Sequence, residues 1–181
     1  MRRSFSHHLK RCIAPLLSTS LLTVALVSCT GYTVARQQPQ ALAHVKSIRV
    51  PLFENKTLIP RGEVLATNSV VDALASDGTY RIADDSKADA ILHGTLESMT
   101  FTQVRSTRLD TLRSSELENT IIIRWELRDA KNPIKVLASG KAQGTSRFAI
   151  DANLQTARTN ALPDAMQRAA TQVVGRLTDD Y

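Results

Sequence analysis

The residue best placed for covalent chemistry is Cys29, which closes the tetrapeptide Leu26-Val27-Ser28-Cys29. An apolar run from about Ile13 to Val27 precedes it, behind a basic stretch holding Arg2, Arg3, Lys10 and Arg11. Basic residues, an apolar core and small residues at a cleavage point make a secretory signal. Cleavage before Cys29 leaves its thiol and a new amine at the chain's start. The other cysteine, Cys12, leaves with the signal, so no disulfide, thiolate nucleophile or thiolate metal site is expected afterwards. Other reactive types are scattered. His44 and His93 are the histidines beyond the signal, and neither has Cys, Asp or Glu beside it at metal-ligand spacing. The pairs Asp84-Asp85 and Asp179-Asp180 are adjacent residues, as in solvated turns and chain ends; an acid/base couple needs two environments that push the pKa values apart. Gly140 and Gly144 lack the Lys that a phosphate loop requires, and no nucleophile elbow or dinucleotide fingerprint occurs. An enzyme, a cofactor and a bound metal are therefore not expected.

The tetrapeptide resembles a bacterial lipobox, which implies an S-diacylglycerol and an N-acyl group on Cys29. Each buried CH₂ adds about 0.8 kcal/mol, and more than one acyl chain is needed for a durable anchor. As an uncleaved membrane span the segment is too short, because Pro15 interrupts it and a span needs about 20 apolar residues. Residues 1–28 are thus read as a signal peptide, 29–44 as a lipidated N-terminus and short tether, and 45–181 as one domain. The tether, Thr30 to His44, is polar or small and contains Gly31, Gln37, Gln38 and Pro39. At about 3.3–3.6 Å per residue, its ~15 residues reach at most about 50 Å, so the domain stays near the membrane that holds its lipid.

Charge must be read after the signal is removed. Of 23 Lys and Arg, four precede Cys29, which leaves 19 against 17 Asp and Glu. A nearly neutral domain lacks the clustered basic footprint of a nucleic-acid binder, so no nucleic acid is expected.

The elements follow from periodicity. Val45 to Phe53 reads as a strand, with Pro51 marking an edge or a frayed end. Glu63 to Ser76 places Val64, Leu65, Asn68, Val71, Leu74 and Ala75 at helical spacing before the stop Asp77-Gly78. Tyr80-Arg81-Ile82 is a short strand and Ala88 to Arg105 a long one, whose apolar parity shifts between Leu96 and Met99, predicting a β-bulge near Glu97 and Ser98. Asn119 to Arg128 alternates strictly, with Ile121, Ile123, Trp125 and Leu127 on one face. Val136 to Ile150 carries Ala138, Gly140, Ala142 and Gly144 on one face, which leaves room for a closely packed helix. Leu162, Met166, Ala169, Val173 and Leu177 define a final helix; Pro163 suits its first turn, unless the helix begins near Gln155 and carries Pro163 inside. The order β-α-β-β-β-β-α predicts an α+β two-layer sandwich: a mostly antiparallel sheet of four to five strands with two helices on one face. Arg124, Glu126, Arg128 and Lys141 then share the opposite face.

Several segments are similar to the LptE family of lipopolysaccharide-assembly lipoproteins: the lipobox with Cys29-Thr30-Gly31-Tyr32, in which Thr30 interrupts the family's Cys-Gly-Tyr, then Ile48 to Thr57, Ala88-Asp89-Ala90-Ile91-Leu92-His93-Gly94-Thr95-Leu96, and the final amphipathic helix. The resemblance implies a plug within an LptD-type outer-membrane β-barrel, where it helps lipopolysaccharide reach the outer leaflet. Binding that ligand would be anion recognition by charge-assisted hydrogen bonds. Its candidates are Arg105, Arg108 and Arg113, expected in a Ser- and Thr-rich loop, with Arg124, Arg128 and Lys141 on the polar sheet face. Thr30, rather than Asp, after Cys29 points to the outer membrane. The strand followed by Asn55-Lys56-Thr57 also resembles outer-membrane lipoprotein activators of penicillin-binding proteins, but a leash of about 15 residues is short for reaching an inner-membrane synthase.

Overall fold

The computed structural model describes residues 39–84, 86–107, 110–149 and 153–179. Its elements are β1 (Ser47–Arg49), β2 (Glu54–Asn55), α1 (Gly62–Asp77), β3 (Arg81–Ile82), β4 (Ala90–Thr107), β5 (Asp110–Asp129), β6 (Val136–Ala149) and α2 (Leu154–Thr178). The class is the expected α+β, with two helices over a sheet. The sheet is mixed, however, and has six strands in the order β3-β1-β4-β5-β6, with β2 alongside β4.

The extra strand arises at Pro51. Val45 to Phe53 was expected to be continuous, but pairing stops at Arg49 and resumes at Glu54, because proline has no N–H to give a ladder. β1 lies between β3 and β4, parallel to both, and β2 runs parallel to β4 at Thr95 and Leu96. The sheet is mostly antiparallel, as expected, and these short parallel pairs are what the expectation lacked. The β1-α1-β3 segment is a helix-bearing crossover, the connection that parallel neighbours require. Strands β4, β5 and β6 form the antiparallel meander.

Asp89 fastens β1 to the start of β4. Its Oδ2 accepts from the backbone N–H groups of Lys46 and Ser47, each at 3.0 Å, and lies 2.8 Å from Ser47 Oγ. The Asp89 N–H in turn donates to Ser47 Oγ at 3.1 Å. The Lys46 N–H, then the Ser47 hydroxyl, hold the Asp89 carboxyl below the ordinary aspartate range.

The predicted bulge is present. The β4–β5 register steps from Leu96↔Ile123 to Ser98↔Ile122, leaving Glu97 as the extra residue. Leu92 and Leu96 before the bulge, and Met99 after it, therefore all belong to the core, although their parity differs. On β5, Ile121, Ile123, Trp125 and Leu127 are buried as their alternation requires.

Helix α1 ends at Gly78, whose φ of 76° is the left-handed conformation glycine favours, and whose N–H donates to Leu74 O at 3.0 Å. Its buried face is not the expected one. Ala66, Val70, Ala73 and Leu74 are buried, while Asn68 and Ala75 are exposed. The helix packs on α2 as well as beside the sheet, and two neighbours select its small side chains over the Val64-Val71 stripe.

Helix α2 begins at Leu154, capped by Asn153, whose side chain accepts from Thr156 N–H at 3.1 Å. Pro163 is therefore interior, the second of the two starts the sequence left open. Met166, Ala169, Val173 and Leu177 face the core as predicted. The small-residue face of β6 receives this helix: a β-carbon on Gly144 would run into the Ala165 carbonyl and the Ala169 nitrogen. Tyr80 Oη closes the far end by donating to Leu177 O at 2.6 Å, from a buried position.

Gly144→Ala is expected to destabilise the domain by about 1–3 kcal/mol through overpacking. Gly140→Ala, whose added carbon would meet Trp125 Cζ2 at 3.0 Å, should cost less; thermal melts of the two variants check the order. A carboxyl with a lowered pKa stabilises the fold above its unfolded-state pKa and loses that contribution as pH falls through the folded value. Asp89→Asn should accordingly lower stability at neutral pH and flatten the acid limb of the melting-temperature profile below the ordinary aspartate range.

Candidate functional site

The face of the sheet away from the helices carries ordered charge. Arg124 on β5 and Lys141 on β6 are direct cross-strand partners. Like charges so placed repel. The bulge answers this by turning Glu97 onto the same face, where its Oε1 is 2.7 Å from Arg124 Nη2 and its Oε2 is 3.0 Å from Lys141 Nζ. Arg124 first, then Lys141, hold the Glu97 carboxyl below the usual glutamate range, and Glu97 raises the pKa of Arg124 in return.

Other pairs lace the rest of this face. Arg128 Nη2 meets Glu126 Oε2 at 2.6 Å, and Arg147 Nε meets Glu118 Oε2 at 2.8 Å across β5 and β6. A shallow depression of about 400 Å³ lies here, lined by Lys56, His93, Thr95, Arg124 and Arg128 among others. His93 is exposed on this polar surface. Among the described residues, no group of three or more His, Cys, Asp or Glu is placed to hold a metal ion.

The structure thus brings Arg124, Arg128 and Lys141 onto one face, each with a carboxylate. Arg105 and Arg113 do not sit in a loop. They lie on β4 and β5, which continue as one long hairpin towards residues 108–109. The reason is visible in the composition: no Gly or Pro occurs between Gly94 and Pro133, so nothing breaks the extended chain. Arg108 and Cys29 lie outside the described residues.

A second concavity was not foreseen. Beside the edge of β4, on the helix side of the sheet, the loop Lys56–Pro60, the strand residues Glu97–Phe101 and the first turns of α2 enclose a groove of about 890 Å³. Leu58 is fully exposed at its rim. The Arg158 guanidinium lies 4.5 Å from the centre of the Phe101 ring, and Phe101 packs edge-on against Phe148 at 6.2 Å. Arg158 Nε is buried with no hydrogen-bond partner among the described residues. The usable signal in the sequence was the parity shift, which put Phe101 on the helix side; nothing local placed Arg158 above it.

The sequence model of one family, LptE, described as lipopolysaccharide-assembly, matches residues 45–177. No curated protein matches the chain by sequence. Among solved structures, the hypothetical protein CT253 from Chlamydia trachomatis is similar with a TM-score of 0.53 at 6% identity, covering 72% of this chain and 94% of that one. Protein XCC0632 from Xanthomonas campestris is similar with a TM-score of 0.52 at 16% identity, covering 78% of this chain and 86% of that one. At such identities these likenesses show the fold alone.

Exposed ion pairs contribute little to stability. Glu97→Gln is therefore expected to leave the melting temperature nearly unchanged while releasing Arg124 and Lys141. The variant should be retained more strongly than the parent on an immobilised phosphate-bearing anion at low salt, with the difference vanishing as salt is raised.

Proposed function

The chain belongs to the LptE lipopolysaccharide-assembly family, and from that membership we propose that it is an outer-membrane lipoprotein serving as plug and assembly partner of an LptD-type β-barrel. The carrying observation is the family match across residues 45–177, nearly all of the chain beyond the tether. In this reading Cys29 bears the N-acyl and S-diacylglycerol lipid, and the short tether keeps the domain at the membrane where the barrel resides. The protein helps lipopolysaccharide reach the outer leaflet and catalyses no reaction.

The polar face suits the chemistry this requires. Phosphates on a passing amphiphile exchange with carboxylates around cations that are already fixed in space. Arg124 is 52% and Lys141 54% exposed at the side chain, so trading Glu97 for a phosphate costs little. Arg128 is held in the same way by Glu126. Arg105 and Arg113 lie further along β4 and β5, and Arg108 falls between them in sequence. Arginine outnumbers lysine in this set, which favours bidentate recognition of phosphate.

The test is purification of the lipidated full-length protein from outer membranes in mild detergent, with mass spectrometry of what accompanies it. A large β-barrel in near-equal amount is the expected result. Recovery of a peptidoglycan synthase without such a barrel would overturn the proposal.

A further inference from the structure

The edges of this sheet are not protected alike. β3 has two residues and offers almost no template. β6 carries Lys141 and Arg147 along its length, and the Gln172 side chain of α2 takes the Gln143 N–H. Charges and side-chain cover of this kind are how natural sheets block unwanted pairing. The remaining edge is the side of β4 that faces β2. β2 pairs with it only at Thr95 and Leu96, and the last bond there is Lys56 N–H to Leu96 O at 3.0 Å. From Ser98 to Val104, among the described residues, β4 pairs on its other side alone, with β5.

That stretch is Ser98-Met99-Thr100-Phe101-Thr102-Gln103-Val104, seven residues without a charge or a proline. At about 3.3 Å per residue it offers roughly 23 Å of strand edge. Its first part, through Ser98, Met99 and Phe101, lines the groove built by Lys56–Pro60 and the start of α2, where Leu58, Ile59, Met99 and Leu162 are the apolar lining.

We propose that this groove receives an extended segment of a partner polypeptide, which adds a strand to β4 beyond β2. The segment presents apolar side chains at alternate positions to Leu58, Ile59 and Met99, and a carboxylate to Arg158. The unpaired edge argues for a polypeptide over an acyl chain, because only a peptide backbone supplies the N–H and C=O groups of a ladder. The cations argue against a second copy of this chain. Edge-to-edge pairing would bring two Arg158 and two Lys56 side chains together, and neither has an acidic partner among the described residues. An incoming carboxylate gives Arg158 Nε a partner that the described residues do not supply. The inference goes beyond the functional reading above and does not depend on which protein supplies the segment.

The test uses the full-length protein in its own membrane, with the photo-reactive residue benzoylphenylalanine at Leu58, Gln155 or Thr159, and at exposed Ile134 as a site outside the groove. The expected result is that the three groove positions join to one contiguous segment of a single polypeptide, and Ile134 does not. That segment, made as a synthetic peptide, should bind the purified protein and slow amide exchange across residues 98–104. Arg158→Glu should weaken peptide binding about tenfold, the equivalent of ~1.4 kcal/mol, and Arg158→Gln less, with melting temperatures compared to exclude unfolding. Adducts to lipid alone, to a second copy of the chain, or to nothing would overturn the proposal, as would binding without protection of 98–104. Such failures leave the family-based reading standing, whereas purification without a barrel would count against that reading and not against this one.

Discussion

The close approach of α2 to the small-residue face of β6 is the contact on which the rest of the structure depends. Gly144 admits the Ala165–Ala169 backbone, and Ala161, Ala165, Ala169 and Ala170 keep the helix side equally slim. A helix seated that low covers β5 as well as β6 and brings Met166, Val173 and Leu177 against Ile121, Ile123 and Leu127 in one core. Dispersion contacts of this kind are weak singly and strong in sum, and they vanish with sub-ångström gaps. The seat of α2 also fixes α1, which packs mainly against it, and so decides which stripe of α1 is buried.

One inserted residue links the core to the polar surface. Without the Glu97 bulge, Met99 and Phe101 would point away from the helices and Leu92 and Leu96 towards them, and the apolar pattern of β4 could not be buried on one side. The same insertion sets a carboxylate between Arg124 and Lys141, two cations that strand register forces together. Bulges re-aim side chains and increase local twist. Here one bulge settles the packing phase of a strand and balances the charge of the opposite face, and it stands where β2 ends and the open edge of β4 begins.

The two faces of the sheet consequently carry different chemistry. The face away from the helices is polar, charge-balanced and wet, with cations positioned by carboxylates that water screens. The groove at the β4 edge mixes apolar and polar side chains, holds a guanidinium without a carboxylate partner among the described residues, and leaves a strand edge open. The two surfaces are therefore chemically distinct and separated by the bulge.

Much of this was legible in the chain. The strict alternation of β5, the stop at Gly78, the bulge near Glu97 and the small face of β6 are local patterns, and local patterns reflect period, backbone freedom and side-chain volume, which a sequence states directly. The shared face of Arg124, Arg128 and Lys141 followed from alternation alone. Tertiary structure decided the rest. It set the parallel pairing of β1 with β3 and β4, the burial of Ala66 and Val70 in place of Val64 and Val71, the interior position of Pro163, and the placing of Arg158 over Phe101. Each depends on contacts between segments far apart in the chain, where loop closure, competing neighbours and strand order determine which of several locally acceptable arrangements buries the most surface with its hydrogen bonds made.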